Sequence, residues 1–411
     1  MRRRQLLKSA AAMSASVLWS PWTRASADVS RGHDAYFAKL NALLKSQGPG
    51  RPVMLIDQAR MNHNIDAIKA SVGVNKTYRA VVKSLPSVPL LRHVTQRART
   101  NALMVFHQPF LNEIAKSFPA SDALLGKPMP VAAARTFYQQ LSPSKFAPAR
   151  QVQWLVDSQE RLLQYQALAR ELGVKMRINF EINVGLHRGG FETPEALGQA
   201  LAVISQDDAL SISGLMGYEP HLTGLSADLN HPAVQQVRAL YQGHLDRVKA
   251  AGVDVRDLTL NGAGSHTLGI YEKDDLMNDL SAGSGVVMPT DFDTFHLRDN
   301  RPALFIATPI LKRYRKNPVM PNPPANLAQV YYIYGGYWKA KMVSPANISE
   351  PIYESTNQSP IGTGLDVDLD VDDYMFLRPT QSEFVMLQFG DLITVTDGEL
   401  DQWWPVFHQT G

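Results

Sequence analysis

The sequence predicts an α/β protein: a (β/α)8 TIM-type barrel over residues 51–300, followed by a smaller antiparallel β domain over residues 301–411. Three observations carry this. Eight short apolar runs of β type recur between Pro52 and Leu260, and segments with helical periodicity separate several of them. After Pro302 the long helices stop, and apolar stretches alternate with turns rich in Pro, Gly, Asn and Asp. A chain of 411 residues has room for such a barrel and one accessory domain. An open doubly wound sheet fits the same periodicity, but no dinucleotide glycine fingerprint follows the first strand.

Taken in order, Arg2-Arg3-Arg4-Gln5-Leu6-Leu7-Lys8, the apolar run Ala10–Trp19 and the small residues Ala25-Ser26-Ala27 have the layout of an export signal. The paired arginines resemble a twin-arginine signal, which predicts cleavage after Ala27 and a periplasmic protein. An amphipathic surface anchor is the alternative. The apolar run falls short of the roughly 20 residues that span a bilayer, so stable membrane insertion is not expected. Residues 28–50 form a lead-in to the barrel, with a helix over Asp34–Gln47 whose first turn Asp34 caps. The barrel strands are expected at Val53–Ile56, Arg79–Val82, Ala102–Phe106, Asp122–Leu125, Val152–Val156, Arg177–Val184, Ile212–Gly217 and Leu258–Leu260. Helices are expected at Asn62–Val72, Ser158–Leu172, Pro194–Ile204 and Pro232–Ala250. The second domain takes its strands from Leu304–Leu311, Val330–Tyr334, Tyr374–Leu377, Phe384–Gln388 and Leu392–Val395, with turns at Asn317–Pro324 and Asp366–Asp373. The acidic turn lacks the spacing and distal glutamate of a calcium loop.

Composition narrows the chemistry. With no cysteine, disulfides, iron–sulfur clusters, thiolate zinc and thiol nucleophiles are excluded. Residues 1–27 hold five basic and no acidic residues, so the formal charge falls from +3 to −2 without them. Nothing in that balance favours nucleic acid.

Catalytic groups of a barrel sit at the C-terminal ends of its strands. Lys83 closes an apolar strand there, and burial would free its amine as a nucleophile, unless the side chain is ion-paired or reaches solvent. Later strand ends carry Glu181 to Gly190 with His187 and Arg188, then Tyr218-Glu219-Pro220-His221. Asn261-Gly262-Ala263-Gly264-Ser265-His266 and Asp279–Gly285 follow, two glycine–serine turns suited to an anion.

This ordered set resembles the fold-type III pyridoxal-phosphate enzymes, specifically the D-threonine aldolase and D-serine dehydratase group, with alanine racemase more distant. Pro52–Asp57 with Asn62 and Asn64 looks like the family's opening strand and helix, and Lys83 falls where its cofactor lysine stands. Gly185–Gly190 is similar to the "G-x-x-R-x-G" segment, and Tyr218–His221 to "Y-x-G-H" with Pro220 in place of glycine. Gly262–Ser265 and Asp279–Ser284 look like the two phosphate turns. The resemblance implies pyridoxal 5′-phosphate joined to Lys83 as a Schiff base, with Gly264, Ser265, Gly283 and Ser284 on the phosphate and His221 beside the ring. Arg188 would order the site, while Tyr218 would move a proton or line the wall. It implies a small amino-acid substrate and a homodimer.

The family's metal pattern is not matched. Phe384 stands where metal-dependent members have histidine, and no histidine follows Asp391 until His408. Asp397, Glu399 and Asp401 could take a hard cation or be plain surface carboxylates, and no metal of the family type is expected. Trp403 and Trp404 would then close the pocket or meet a partner subunit. The implied activity is a lyase of D-threonine aldolase type on D-amino acids or β-hydroxy amino acids, with racemisation the nearest alternative. A non-catalytic exported barrel and a glycoside hydrolase using Glu181 and Glu219 are the other classes.

Overall fold

A computed structural model describes residues 32–408 except 143–144, 226–227 and 316–326. The expected signal and the turn Asn317–Pro324 lie outside the described residues.

The first strand, β1 (Val53–Asp57), does not open the barrel, contrary to the sequence reading. The closed parallel barrel is built from β2 (Thr77–Val81), β3 (Ala102–Val105), β4 (Asp122–Leu125), β5 (Val152–Val156), β6 (Met176–Glu181), β7 (Leu210–Met216), β8 (Thr259–Gly262) and β9 (Asp279–Ala282). The strands read as sixth, seventh and eighth are thus the fifth, sixth and seventh of the barrel, and Asp279–Ala282, read as a turn, closes it. Between β8 and β9 the chain makes only a short 3₁₀ turn, Leu268–Ile270, so the helical signal that marks a βα unit is missing there. The helices Gln58–Val72, Gln159–Leu172, Pro194–Ile204 and Pro232–Ala250 lie where periodicity put them.

β1 joins β10 (Leu304–Tyr314), β11 (Gln329–Ile333), β12 (Ala340–Ser344), β13 (Ser359–Thr363), β14 (Tyr374–Pro379), β15 (Asp391–Thr396) and β16 (Glu399–Pro405) in an eight-stranded sheet. The path runs β12-β14-β10-β1-β15-β16, with β11 and β13 branching from β10. β1 is antiparallel to β10 and parallel to β15. Its side chains alternate: Val53 and Leu55 pack under the helix Ala35–Gln47, while Met54 and Ile56 join the core shared with the barrel. A strand buried on both faces reads as a continuous apolar run, which is why it passes for a barrel strand. The lead-in helix covers this sheet, and Asp34 caps it by accepting from Phe37 N–H at 2.9 Å.

Of residues 384–388, expected as strand, 384–387 lie in the short helix Glu383–Leu387 and Gln388 caps its end. The acidic turn is anchored by Asp373, which pairs with Lys45 at 2.6 Å. Among the described residues no helix is long and apolar enough to cross a membrane.

Candidate active site

Strand C-termini converge on one cleft of about 630 Å³. The turn after β2 contributes Lys83 and Ser84, and β3 and the residue after it contribute Met104 and Phe106. The loop after β6 brings Arg188, the end of β7 brings Met216 and Tyr218, and the turn after β8 brings Ala263 to His266. β9 and the turn beyond it add Ser281 to Ser284. Glu383 reaches the same cleft from the sheet domain.

Lys83 stands in the 3₁₀ turn Val82–Ser84, one turn beyond the strand. Its side chain is 44% exposed and its Nζ lies 2.7 Å from Glu383 Oε1. The amine is therefore held by a carboxylate in an open cleft and is not desolvated in the way a strand-end lysine suggests. The Phe106 ring lies under it, 5.0 Å from Nζ.

The two glycine–serine turns meet beside it. Ser265 Oγ accepts the N–H groups of Gly283 and Gly285, each at 3.1 Å, and ties one turn to the other. Ser284 Oγ bonds Ser84 Oγ at 3.0 Å and Ser382 Oγ at 3.1 Å. Glycine is required by close approach. A Cβ on Gly283 would lie 2.7 Å from Ser84 Cβ, and one on Gly264 would lie 2.8 Å from the Tyr218 ring. Asn64, fully buried, donates to the carbonyls of Val286 and Arg301 and fixes the second turn from below.

Tyr218 lines the cleft with the Arg188 guanidinium 4.7 Å over its ring. Burial, reinforced by the charge of Glu219, raises the Tyr218 hydroxyl above its ordinary value, against the pull of Arg188. His221 is not brought into the cleft. It is exposed on the 3₁₀ turn Pro220–Leu222, beside Gly185 and His187. The histidine that does line the cleft is His266, stacked on Phe292 with centroids 4.2 Å apart and Nδ1 buried without a partner.

Glu219 is fully buried beneath the first turn, where it accepts from Thr267 Oγ1 at 2.7 Å and Ala263 N–H at 3.4 Å. Burial pushes it up to about 7, opposed by the Thr267 hydroxyl. Neither Glu219 nor Glu181 lines the cleft, so the carboxylate pair needed for glycoside hydrolysis is not assembled. Trp403 and Trp404 do not close the pocket either: Trp404 is buried and Trp403 lies exposed under the Arg51 guanidinium. Glu399 bonds Gln47 and Asp401 bonds Thr396 on the outer hairpin, away from the cleft.

Residues 56–289, more than half of the chain, match the family described as alanine racemase, N-terminal domain. The chain belongs to this family. No curated protein matches this chain by sequence. Among solved structures it is similar to a D-threonine aldolase from Filomicrobium marinum, with 14% identity and a TM-score of 0.70 over 87% of this chain and 96% of that one. A D-threo-3-hydroxyaspartate dehydratase from Delftia sp. HT23 gives 14% identity and a TM-score of 0.68 over 87% and 97%. An alanine racemase of Clostridium difficile 630 gives 16% and 0.65 over 86% and 98%. These relatives are fold-type III pyridoxal-phosphate enzymes, and the fold is theirs.

The residues of this family member's cleft fit that cofactor. An amine for the aldehyde, hydroxyls on two glycine turns that a Cβ would fill, and an unpartnered imidazole nitrogen all face one cavity.

Proposed function

We propose that this protein is a pyridoxal-phosphate lyase of D-threonine aldolase type, acting on D-amino acids or β-hydroxy amino acids. The observation that carries the reading is the Lys83 amine in a cleft walled by the turns Ala263–His266 and Ser281–Ser284. In this reading Lys83 holds the aldehyde carbon, and Gly264, Ser265, Gly283 and Ser284 surround the phosphate. The bound cofactor supplies an electron sink for the pair released when a bond at Cα breaks. Arg188 lies over the Tyr218 ring, and burial raises the Tyr218 hydroxyl further above its ordinary value, which suits it to hold a proton. Phe106, Met104, Met216 and Phe292 give the cleft an apolar lining beside the amine. His221 is given no role at the ring.

Racemisation is the second reading, because Lys83 and Tyr218 both line the cleft and could carry protons to Cα. The test is a visible spectrum with borohydride fixation, followed by incubation with D-threonine. The lyase reading expects a chromophore fixed on Lys83, absent in Lys83→Ala, and release of glycine and acetaldehyde. Changed optical rotation without fragments, from inversion at Cα alone, indicates racemisation. A protein with no chromophore, or with no turnover on a panel of D-amino acids, supports an exported binding protein instead.

We further read residues 1–27 as a twin-arginine-type signal and the mature protein as a periplasmic homodimer. Cell fractionation, N-terminal sequencing and sedimentation test this: Asp28 at the N-terminus and twice the monomer mass are expected.

A further inference from the structure

We propose that Glu383 is the base that takes the proton from Lys83 when its ammonium becomes a nucleophile. The inference rests on the reading of Lys83 as the cofactor lysine and adds a second catalytic residue, supplied by the sheet domain. Among the described residues Glu383 is the one carboxylate within ion-pair distance of Lys83, and it belongs to an element outside the barrel. Its aim is set from both sides. Ser84, the neighbour of Lys83, donates to the same oxygen at 3.3 Å. Ser382, the residue before Glu383, is fully buried and hydrogen-bonded to Ser284, which in turn bonds Ser84. One hydroxyl thus meets the carboxylate, and a chain of two more ties the residue before Glu383 to the turn that carries the amine.

A lysine can attack an aldehyde only as the neutral amine, so an N–H bond must break first. In the observed contact the proton passes from Nζ to Glu383 Oε1, 2.7 Å away, and its bonding pair stays on nitrogen. An ion pair becomes a neutral amine and a carboxylic acid, with no net charge created in the cleft. Attack by the neutral amine forms the C–N bond and passes one of its own N–H protons to the aldehyde oxygen. The Glu383 acid is placed to give that oxygen the second proton, so that the C–O bond breaks and water leaves with the carboxylate restored. Arg188, Tyr218 and His266 line the same cleft, but among the described residues none of them is hydrogen-bonded or ion-paired to the Lys83 amine, which meets Glu383 alone.

The test is the rate at which full-length apo-protein takes up pyridoxal phosphate, followed by stopped-flow absorbance in wild type, Glu383→Gln and Glu383→Asp. Glutamine is expected to slow attachment by about 10²-fold, within the range for a lost general base. Aspartate should restore part of the rate. Affinity for pyridoxine 5′-phosphate, which has no aldehyde, should change by less than about threefold, showing that the cradle is intact. If Glu383 were only a counter-ion, its loss would favour the uncharged amine and speed attachment. An equal or faster rate in Glu383→Gln overturns the proposal. Cofactor fixed by borohydride in Lys83→Ala would instead overturn the assignment of Lys83, an outcome separable from the first.

Discussion

The cleft works through a few side chains held by specific contacts. Gly283 is one that cannot be enlarged: a methyl group there meets Ser84 Cβ and Val81 Cβ at 2.7 and 2.8 Å. Gly283→Ala is expected to cost about 1–3 kcal/mol by overpacking, measured by urea denaturation, and to weaken retention of the cofactor in dialysis. Glu219 gives a pH dependence whose sign is fixed. Its folded value is raised from 4.5 to about 7, so the neutral acid is favoured in the folded chain. Its contribution is whole below pH 4.5 and is lost as pH rises towards 7. Glu219→Gln removes this loss, so its melting temperature should gain on wild type between pH 5 and pH 8 in paired thermal scans; a flat difference refutes the assignment. Lys83 was legible as a candidate from the apolar residues before it. Its pairing with Glu383 was not, because no local pattern links positions so far apart in the chain. His266 stood at the end of a turn already singled out, yet His221 looked the better ring partner on motif alone.

Strands and helices show where local pattern is sufficient. The helix Ala35–Gln47 begins at a side-chain cap, and Asp34→Ala is expected to cost about 1 kcal/mol in chemical denaturation. The helices Pro194–Ile204 and Pro232–Ala250 each start on a proline, which is preorganised for a first turn, and periodicity found their bounds. Arg79 is a different case. It sits on β2, buried, and bonds Asp279 on β9 at 2.8 Å and Asp122 on β4 at 2.7 Å. The guanidinium joins three strands across the barrel floor, and its removal leaves the buried Asp279 without its cation, while Asp122 keeps Arg177 at 3.5 Å. Arg79→Ala should therefore cost about 3–5 kcal/mol, seen as a lower denaturant midpoint or loss of soluble protein. The sequence shows Arg79 only as a polar break at the start of an apolar run.

The two domains are interleaved in the chain. β1 precedes the barrel in sequence but lies between β10 and β15 in the sheet. A chain ending at residue 303 would leave β1 with neither neighbour, both its backbone edges unpaired, and would strip Phe305, Ala307, Phe376 and Ile393 from the apolar cluster that holds Val53 and Leu55. Such a fragment is expected in the insoluble fraction on expression, whereas a barrel independent of the sheet would stay soluble and show a cooperative melt. The same interleaving places Glu383 and Ser382 in the barrel's cleft, so the site belongs to both domains.

Local chemistry along the chain was enough for the fold class, five helices, seven of the eight barrel strands, and the lysine and glycine–serine turns of the cleft. Periodicity, caps and close-packed glycines act over a few neighbouring residues, and those effects are written where they operate. Which apolar run closes the barrel, which histidine faces the cleft and which carboxylate meets Lys83 depend on contacts between distant segments. Burial on both faces makes β1 look like a barrel strand, and a β8–β9 connection without an α-helix hides the last one. Packing in three dimensions resolves these choices because it alone determines which segments share a surface.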